Sequence, residues 1–281
     1  MALATVVATE GSTYSKAGHR IVIADHGDYQ GLVSGGCLEG DLAEHAAAVI
    51  ADGQARLLTY DLRDEADEIW GLGIGCNGLI RVLLQRLAPD NDYQPFATLA
   101  DWQLDGTAGV CALVTASESP DIQPGATLLL ADDRQLNFGM TIDTADAICA
   151  AMAGNPSAYS QRTKLRGRAV ELLVTPIAPV TRLLILGAGP DAVPLLRFAS
   201  ELGWRVSLAD HRAAYLADPA FSAAEQRCET TPATLARDVD LAGFDAAVVM
   251  SHHLETDRGY LAALAGQRLA YVGLLGPRAR R

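Results

Sequence analysis

The spacing of apolar positions separates the chain into two parts of different character. In the first part, Leu3 to Thr9 is rich in β-branched residues and predicts a strand closed by Gly11-Ser12-Thr13. Arg20 to Ala24 and Tyr29 to Ser34 predict two more strands around the turn His26-Gly27-Asp28, giving a small β-meander. From Leu38 the apolar positions Leu38, Leu42, Ala46, Val49 and Ile50 recur at helical spacing, and Gly53 is a natural stop. Strands are also expected at Leu79 to Leu87, Val110 to Ala116, Thr127 to Ala131 and Ala169 to Thr175, with helices at Tyr93 to Leu104 and Thr141 to Met152.

Pro176 and Pro179 mark a linker, and after it the pattern changes to that of a doubly wound α/β fold. Thr181 to Leu186 is a continuous apolar run of the kind buried on both faces of a parallel sheet. Gly187-Ala188-Gly189-Pro190-Asp191-Ala192 follows directly, then a helical pattern through Val193, Leu196, Ala199 and Leu202. In such a Gly-x-Gly-x-x-Ala turn the first glycine bends the chain, the second admits a pyrophosphate, and the small Ala192 lets helix and strand pack. The next strand, Arg205 to Ala209, ends at Asp210, 21 residues after Gly189, where a carboxylate would bind a ribose hydroxyl. Pro190 removes one amide from the helix start, and a domain of this kind can keep its fold without a ligand. Phe244 to Met250, Glu255 to Ala265 and Leu269 to Leu275 supply a strand, a helix and a strand. Ser251-His252-His253 falls at the carboxyl end of its strand, which makes His252 a candidate for lining the crevice. The expected domains are 1–176, mixed α/β, and 180–281, Rossmann-like.

Composition narrows the function. The 281 residues are 49% apolar and 20% charged, with no run of eighteen apolar residues and no basic leader, so a cytoplasmic protein without a membrane span is expected. The net charge of −12 resides in the first part: residues 1–178 carry 11 basic against 23 acidic side chains, and the remainder carries 11 of each. Such a surface repels phosphate backbones, which excludes nucleic acid except at the short tail Arg278 to Arg281. Five acids and one arginine lie in Asp61 to Glu68, expected as a solvated loop. The five cysteines are widely spaced with no Cys-x-x-Cys, which argues against a disulfide framework or a cysteine-rich zinc site; Cys111 and Cys149 lie in apolar patterns and are expected in the core. The first part has no paired carboxylates at catalytic spacing, no Ser-His-Asp set and no His-Glu-x-x-His, so it has few means of hydrolysis.

Two glycine-cysteine clusters stand out. Ser34-Gly35-Gly36-Cys37-Leu38-Glu39-Gly40-Asp41 places Cys37 at the start of a helix, where the dipole favours negative charge, on sulfur or on a bound phosphate. Glu39 and Asp41 read equally as acids that complement that dipole. Trp70-Gly71-Leu72-Gly73-Ile74-Gly75-Cys76-Asn77-Gly78 surrounds Cys76 with glycines, either as a loop wrapped round a ligand or as a glycine-rich entry into the next strand with Cys76 as a small buried residue.

These clusters, with Leu-Ala-Thr-Val-Val-Ala-Thr-Glu-Gly-Ser-Thr at the start, Leu-Gly-Ala-Gly in the second part and Tyr-Val-Gly-Leu-Leu-Gly-Pro-Arg near the end, resemble the XdhC/CoxI family of accessory proteins of xanthine dehydrogenase and related molybdenum hydroxylases. The resemblance implies an N-terminal XdhC/CoxI domain and a C-terminal Rossmann domain. It also implies binding of the molybdenum cofactor, as molybdopterin or its cytosine dinucleotide form, with support for its sulfuration and insertion into the apo-enzyme. Cys37 and Cys76, with Gly36 and Gly75 beside them, carry over as cofactor-binding positions, with Cys76 as the metal ligand. Gly187, Gly189, Asp210 and His252 would hold a nucleotide end. The implied partners are a molybdenum hydroxylase apo-enzyme and a sulfur donor such as a cysteine desulfurase, with a homodimer as one arrangement. On this reading the protein is a maturation factor and not itself an enzyme; the alternative is an NAD(P)-dependent oxidoreductase using the second domain. Relatives usually have a segment before the first strand and continue past the last, so a fragment or short form is a further expectation, and where they often have Gly-Cys-Gly-Gly this chain has Gly-Cys-Asn-Gly.

Overall fold

The computed structural model describes residues 1–63, 77–132, 134–152 and 159–276. The chain forms two compact units, Met1–Pro179 and Val180–Arg281. In the first, strands β1 (Ala2–Ser12), β2 (Arg20–Ile23) and β3 (Tyr29–Gln30) are followed by helix α1 (Glu39–Asp52) and strands β4 (Arg56–Asp61) and β5 (Asn77–Arg86). They make an antiparallel sheet in the order β3-β2-β1-β5-β4. Helix α2 (Phe96–Asp105), strands β6 (Gly109–Ser117), β7 (Thr127–Ala131) and β8 (Arg134–Phe138), helix α3 (Ile142–Ala151) and strands β9 (Tyr159–Leu165) and β10 (Arg168–Ile177) give a second sheet, β8-β7-β6-β10-β9.

Period-2 alternation places these elements in layers. On β1, Ala2, Ala4 and Val6 pack with Ile80, Val82 and Leu84 of β5 against Leu42, Ala46 and Val49 of α1. The alternate positions Val7 and Leu83 meet Leu113 and Leu173 of the second sheet. Ala112, Val114, Leu172 and Val174 cover the far side of that sheet against Ala145 and Ile148 of α3. Each sheet is therefore buried on both faces, and the contact between sheets is narrow. Beyond its four apolar residues the inter-sheet layer becomes polar: the Gln85 amide donates to the Gly125 carbonyl (2.8 Å), the Ser160 hydroxyl to the Val7 carbonyl (3.0 Å), and the Arg20 guanidinium reaches Thr175 Oγ1 (3.5 Å) and Cys111 Sγ (3.8 Å).

The second unit runs β11 (Arg182–Leu186), α4 (Ala192–Glu201), β12 (Arg205–Asp210), α5 (Ala213–Leu216), β13 (Gln226–Glu229), α6 (Leu235–Asp238), β14 (Ala246–Val249), α7 (Leu254–Leu264) and β15 (Tyr271–Leu274). Its sheet, in the order β13-β12-β11-β14-β15, is wholly parallel. Leu183, Ile185, Val206 and Leu208 face α4, while Leu184, Leu186, Ala247 and Val249 face Tyr260 and Leu264 of α7. This is the doubly wound arrangement that the continuous apolar run of β11 predicts. No helix among the described residues is long and apolar enough to cross a membrane.

Several elements differ from the sequence reading. The strand expected over Tyr29 to Ser34 ends at Gln30, because the amides of Val33 and Ser34 are taken by the Glu39 side chain. The helix expected from Tyr93 begins at Phe96: Tyr93 has φ 58° and Pro95 sits at the N-cap. Cys111 is buried as expected, but Cys149 is only half-buried, its thiol 3.2 Å from Gln135 Oε1. The acidic run at 64–68 lies outside the described residues; of its flank, Asp61 pairs with Arg63 (2.6 Å).

Leu83 stands at the centre of the narrow inter-sheet contact and is fully buried. Leu83→Ala is expected to destabilise the protein by about 2–5 kcal/mol through lost transfer energy and a cavity, read as a lower urea midpoint with an unchanged slope.

Candidate functional site

The Gly-Gly-Cys loop of the first unit is built around one carboxylate. Glu39, the first residue of α1, is sealed from solvent, and its two oxygens gather the loop that precedes it. Oε1 accepts from the amides of Val33 and Ser34, each at 2.9 Å, and Oε2 accepts from the Gly36 amide (3.0 Å) and the Ser34 hydroxyl. Ser34 Oγ in turn accepts from the Leu38 amide (2.7 Å), in the place of a side-chain cap, which Leu38 cannot provide. Burial raises the pKa of such a carboxyl, but the donors from Ser34 and Val33 outweigh it, and Glu39 is held below the ordinary carboxylate range. Gly35 and Gly36 take φ of 80° and 108°, so the chain turns sharply just before Cys37. Cys37 is half-buried at the end of this turn, one residue before the N-cap, and is separated from β3 by the loop. A Cβ placed on Gly36 would meet nothing within 4 Å, so the approach beside the thiol is open.

Neighbouring elements fix the same end of the sheet. Asp41 Oδ2 accepts from the Tyr60 hydroxyl (2.5 Å), tying α1 to β4; burial, then this bond, pushes the Tyr60 phenol above its ordinary range. Tyr14, largely exposed, lies beside Gly35, and the buried Ser15 hydroxyl reaches the Leu32 carbonyl (3.5 Å). Gly75 and Cys76 lie outside the described residues. The chain resumes at Asn77, which pairs with Ser12, and Gly78 is confined: a Cβ there would stand 2.5 Å from the Glu10 carbonyl oxygen. Leu62 donates to the Gly78 carbonyl (2.9 Å), so the chain on either side of residues 64–76 is held at the end of the sheet where β1 leads into Tyr14.

In the second unit, the fingerprint turn is held from both sides. Gly187, at φ 125°, passes so close to β14 that a Cβ would lie 2.5 Å from the Met250 carbonyl oxygen. Asp210 is buried and fully engaged: Oδ2 accepts from the Ala188 amide (2.7 Å) and Arg212 Nη2 (2.7 Å), and Oδ1 from the amide and Nε of Arg212 (both 2.9 Å). Burial opposes its ionisation, yet Arg212 and the Ala188 amide bring its pKa down to about 2. Asp210 thus braces the turn from within. His252, at φ 63°, sets Nε2 2.7 Å from Asp191 Oδ2, and a Cβ on Gly189 would stand 2.6 Å from Asp191 Oδ1 and 3.4 Å from the His252 ring. Gly189 and His252 are therefore together at the turn, with a carboxylate between them. Among the described residues no group of three or more metal-ligating side chains forms a centre.

A curated relative from Bacillus subtilis, described as a probable component of xanthine dehydrogenase, is 31% identical over 274 residues, spanning 98% of this chain and 78% of its own. The chain belongs to the XdhC and CoxI family. The profile of that family matches residues 1–61, and that of the XdhC Rossmann domain matches residues 183–281. A crystal structure described as a xanthine dehydrogenase from Bacillus halodurans is similar across 99% of this chain and 78% of its own, at 28% identity and a TM-score of 0.80. Within the XdhC/CoxI profile lies the whole Glu39 network, including Cys37.

Two features of this XdhC/CoxI chain are not apparent from sequence reasoning. Glu39 reads as one of two first-turn acids, and the only signal of its role is its spacing from Ser34 across the glycine pair. Arg212 carries no motif, yet it occupies the carboxylate of Asp210.

Glu39→Gln keeps the shape but sets an N–H group against the donors of the loop. It is expected to cost about 2 kcal/mol in urea unfolding and to speed alkylation of Cys37 by a neutral maleimide. Asp210 supplies a pH test. Its folded pKa lies below its unfolded value, so its contribution is complete above about 4 and is lost as pH falls through about 2. Asp210→Asn should lower stability by roughly 2 kcal/mol at neutral pH and flatten that acid limb when unfolding free energy is followed from pH 7 downward.

Proposed function

We propose that this protein is an accessory factor that binds the molybdenum cofactor in its first unit and supports the sulfuration and insertion of that cofactor into a xanthine dehydrogenase-type molybdenum hydroxylase. The observation that carries this reading is the half-buried thiol of Cys37 on a glycine turn locked by Glu39, in a chain whose relatives are described as xanthine dehydrogenase components. The donor set fits: a thiol is a soft ligand of the kind that suits a sulfur-rich metal centre, and the open space beside Gly36 lets a bulky group approach. Cys37 would hold the group, with Gly36 alongside; Cys76 and Gly75, outside the described residues, are the second part of the proposal, with Cys76 as the metal ligand. When bound, the cofactor supplies a molybdenum centre whose terminal oxygen can be exchanged for sulfur.

What this chain's residues do is hold and present. Glu39 fixes the loop before any ligand arrives, so little conformational entropy is lost on binding. Exposed Tyr14 and Leu32 flank the loop and would meet the client apo-enzyme or a sulfur donor such as a cysteine desulfurase. No acid–base step is assigned to the loop, in keeping with a cytoplasmic maturation factor, as a single chain or a homodimer, that delivers a cofactor without turning over a substrate.

The Gly187 turn supports a second role, either for the nucleotide of a cytosine dinucleotide form or, as an alternative function, for NAD(P) in an oxidoreductase. Gly187, Gly189, Asp210 and His252 would line that site. The fit there is partial: Asp191 sets a carboxylate against the turn, and a phosphate would have to compete with it for His252.

The test is to incubate the purified chain with released molybdenum cofactor, desalt, and assay molybdenum and pterin together, with Cys37→Ser, Cys76→Ala and NADH titration in parallel. Near-stoichiometric retention by the parent, reduced about tenfold or more in Cys37→Ser, is the expected result. Equal retention by Cys37→Ser would remove that residue from the reading. Absent retention with tight NADH binding would favour the oxidoreductase.

A further inference from the structure

The Cys37 loop occupies one end of the first unit's sandwich; the other end holds a cleft of about 590 Å³ between the two sheets. Such a volume suits a small molecule. Gln85 at the end of β5, Gln54 after α1 and Gln123 before β7 bring three carboxamides to its wall, and Phe138 contributes an aromatic ring that rests on its other side against the core of Leu99 and Trp102.

The charges around the cleft are already paired. Asp52 accepts from Arg56 and from the Gln54 amide (2.8 Å), and Arg86 Nη2 stands 3.5 Å from Asp90 Oδ2. The carboxamides are not all used. Gln85 is nearly buried and spends one N–H on the Gly125 carbonyl; among the described residues its Oε1 accepts no hydrogen bond, and the side chains of Gln54 and Gln123 make none. Gly125, at φ 96°, lets Gln85 come close: a Cβ there would stand 3.2 Å from Nε2.

A carboxamide pairs two-fold with a neighbouring donor and acceptor on the edge of a planar heterocycle, and an aromatic ring stacks on its face. With no unpaired charge to meet an anion or a cation, the lining selects against ionic ligands. We propose that this cleft binds a neutral, planar nitrogen heterocycle with adjacent donor and acceptor atoms, of the purine or pterin class, edge-on to Gln85 and face-on to Phe138. The proposal is independent of cofactor retention at Cys37, because no residue of the cleft belongs to the Cys37 loop.

The experiment is calorimetric titration of the full chain with hypoxanthine, with pterin, and with indole as a ring of similar size that lacks a paired donor–acceptor edge. Gln85→Met, Gln54→Ala and Phe138→Leu are titrated alongside, each checked by thermal melting. Binding of hypoxanthine or pterin with a Kd below about 1 mM is expected, the tighter of the two identifying the source. Weakening should be about tenfold in Gln85→Met and severalfold in Gln54→Ala, whose exposed, unbonded side chain can be removed without harm to the fold. Absence of binding by both heterocycles, equal binding of indole, or affinity unchanged in both glutamine variants would overturn the assignment.

Discussion

A single buried carboxylate determines the shape of the end of the first unit that carries Cys37. An ionised side chain withdrawn from water is costly unless its lone pairs are met by well-placed donors. Glu39 meets that condition with three amides and a hydroxyl, all from residues 33–36. The same bonds consume amides that would have extended β3, bend Gly35 and Gly36 into the left-handed region, and start α1 without a side-chain cap on Leu38. Loop, helix start and cysteine position therefore follow from one electrostatic requirement. Leu38 and Leu42 then enter the core below, so the polar network and the apolar packing of α1 are satisfied by one placement of the helix.

The inter-sheet layer shows the opposite balance. Its apolar contact is limited to a few side chains around Val7, Leu83, Leu113 and Leu173, and hydrogen bonds from Gln85, Ser160 and Arg20 continue it outward. Two sheets already buried by helices on their outer faces need only a thin seam between them. The polar margins of that seam can diverge and leave a cleft at little expense to the core.

Much of this organisation is legible in the sequence, and the exceptions have physical causes. The buried run of β11, the turn at Gly187 and the 3.6-residue period of α1 are local signals, and each predicts its element. The strands the sequence reading lacks, β4, β8, β9 and β13, all lie at sheet edges. Arg134–Phe138 and Tyr159–Leu165 carry polar residues at most positions, so partners rather than intrinsic pattern make them strands. The sandwich itself rests on pairing of β1 with β5 and β6 with β10, contacts between residues far apart in the chain that no local window reports. Glu39 and Asp210 are visible as acids near functional turns; their saturation by protein donors depends on side-chain directions that spacing does not encode. The cleft is assembled from turns and strand ends of both sheets and has no continuous motif.

The antiparallel pairing of β1 and β5 has a consequence for communication within the unit. Strand β1 begins at Ala2, paired with Arg86 beside the cleft, and ends at Ser12, paired with Asn77 next to the Cys37 end. At about 3.3 Å per residue these ends stand roughly 30 Å apart. The strands between them are buried on both faces and offer no second packing arrangement to switch into, so occupancy at one end has no two-state element through which to alter the other. Free-energy changes made at the two ends should add, and the sandwich behaves as a rigid spacer between two independent chemistries.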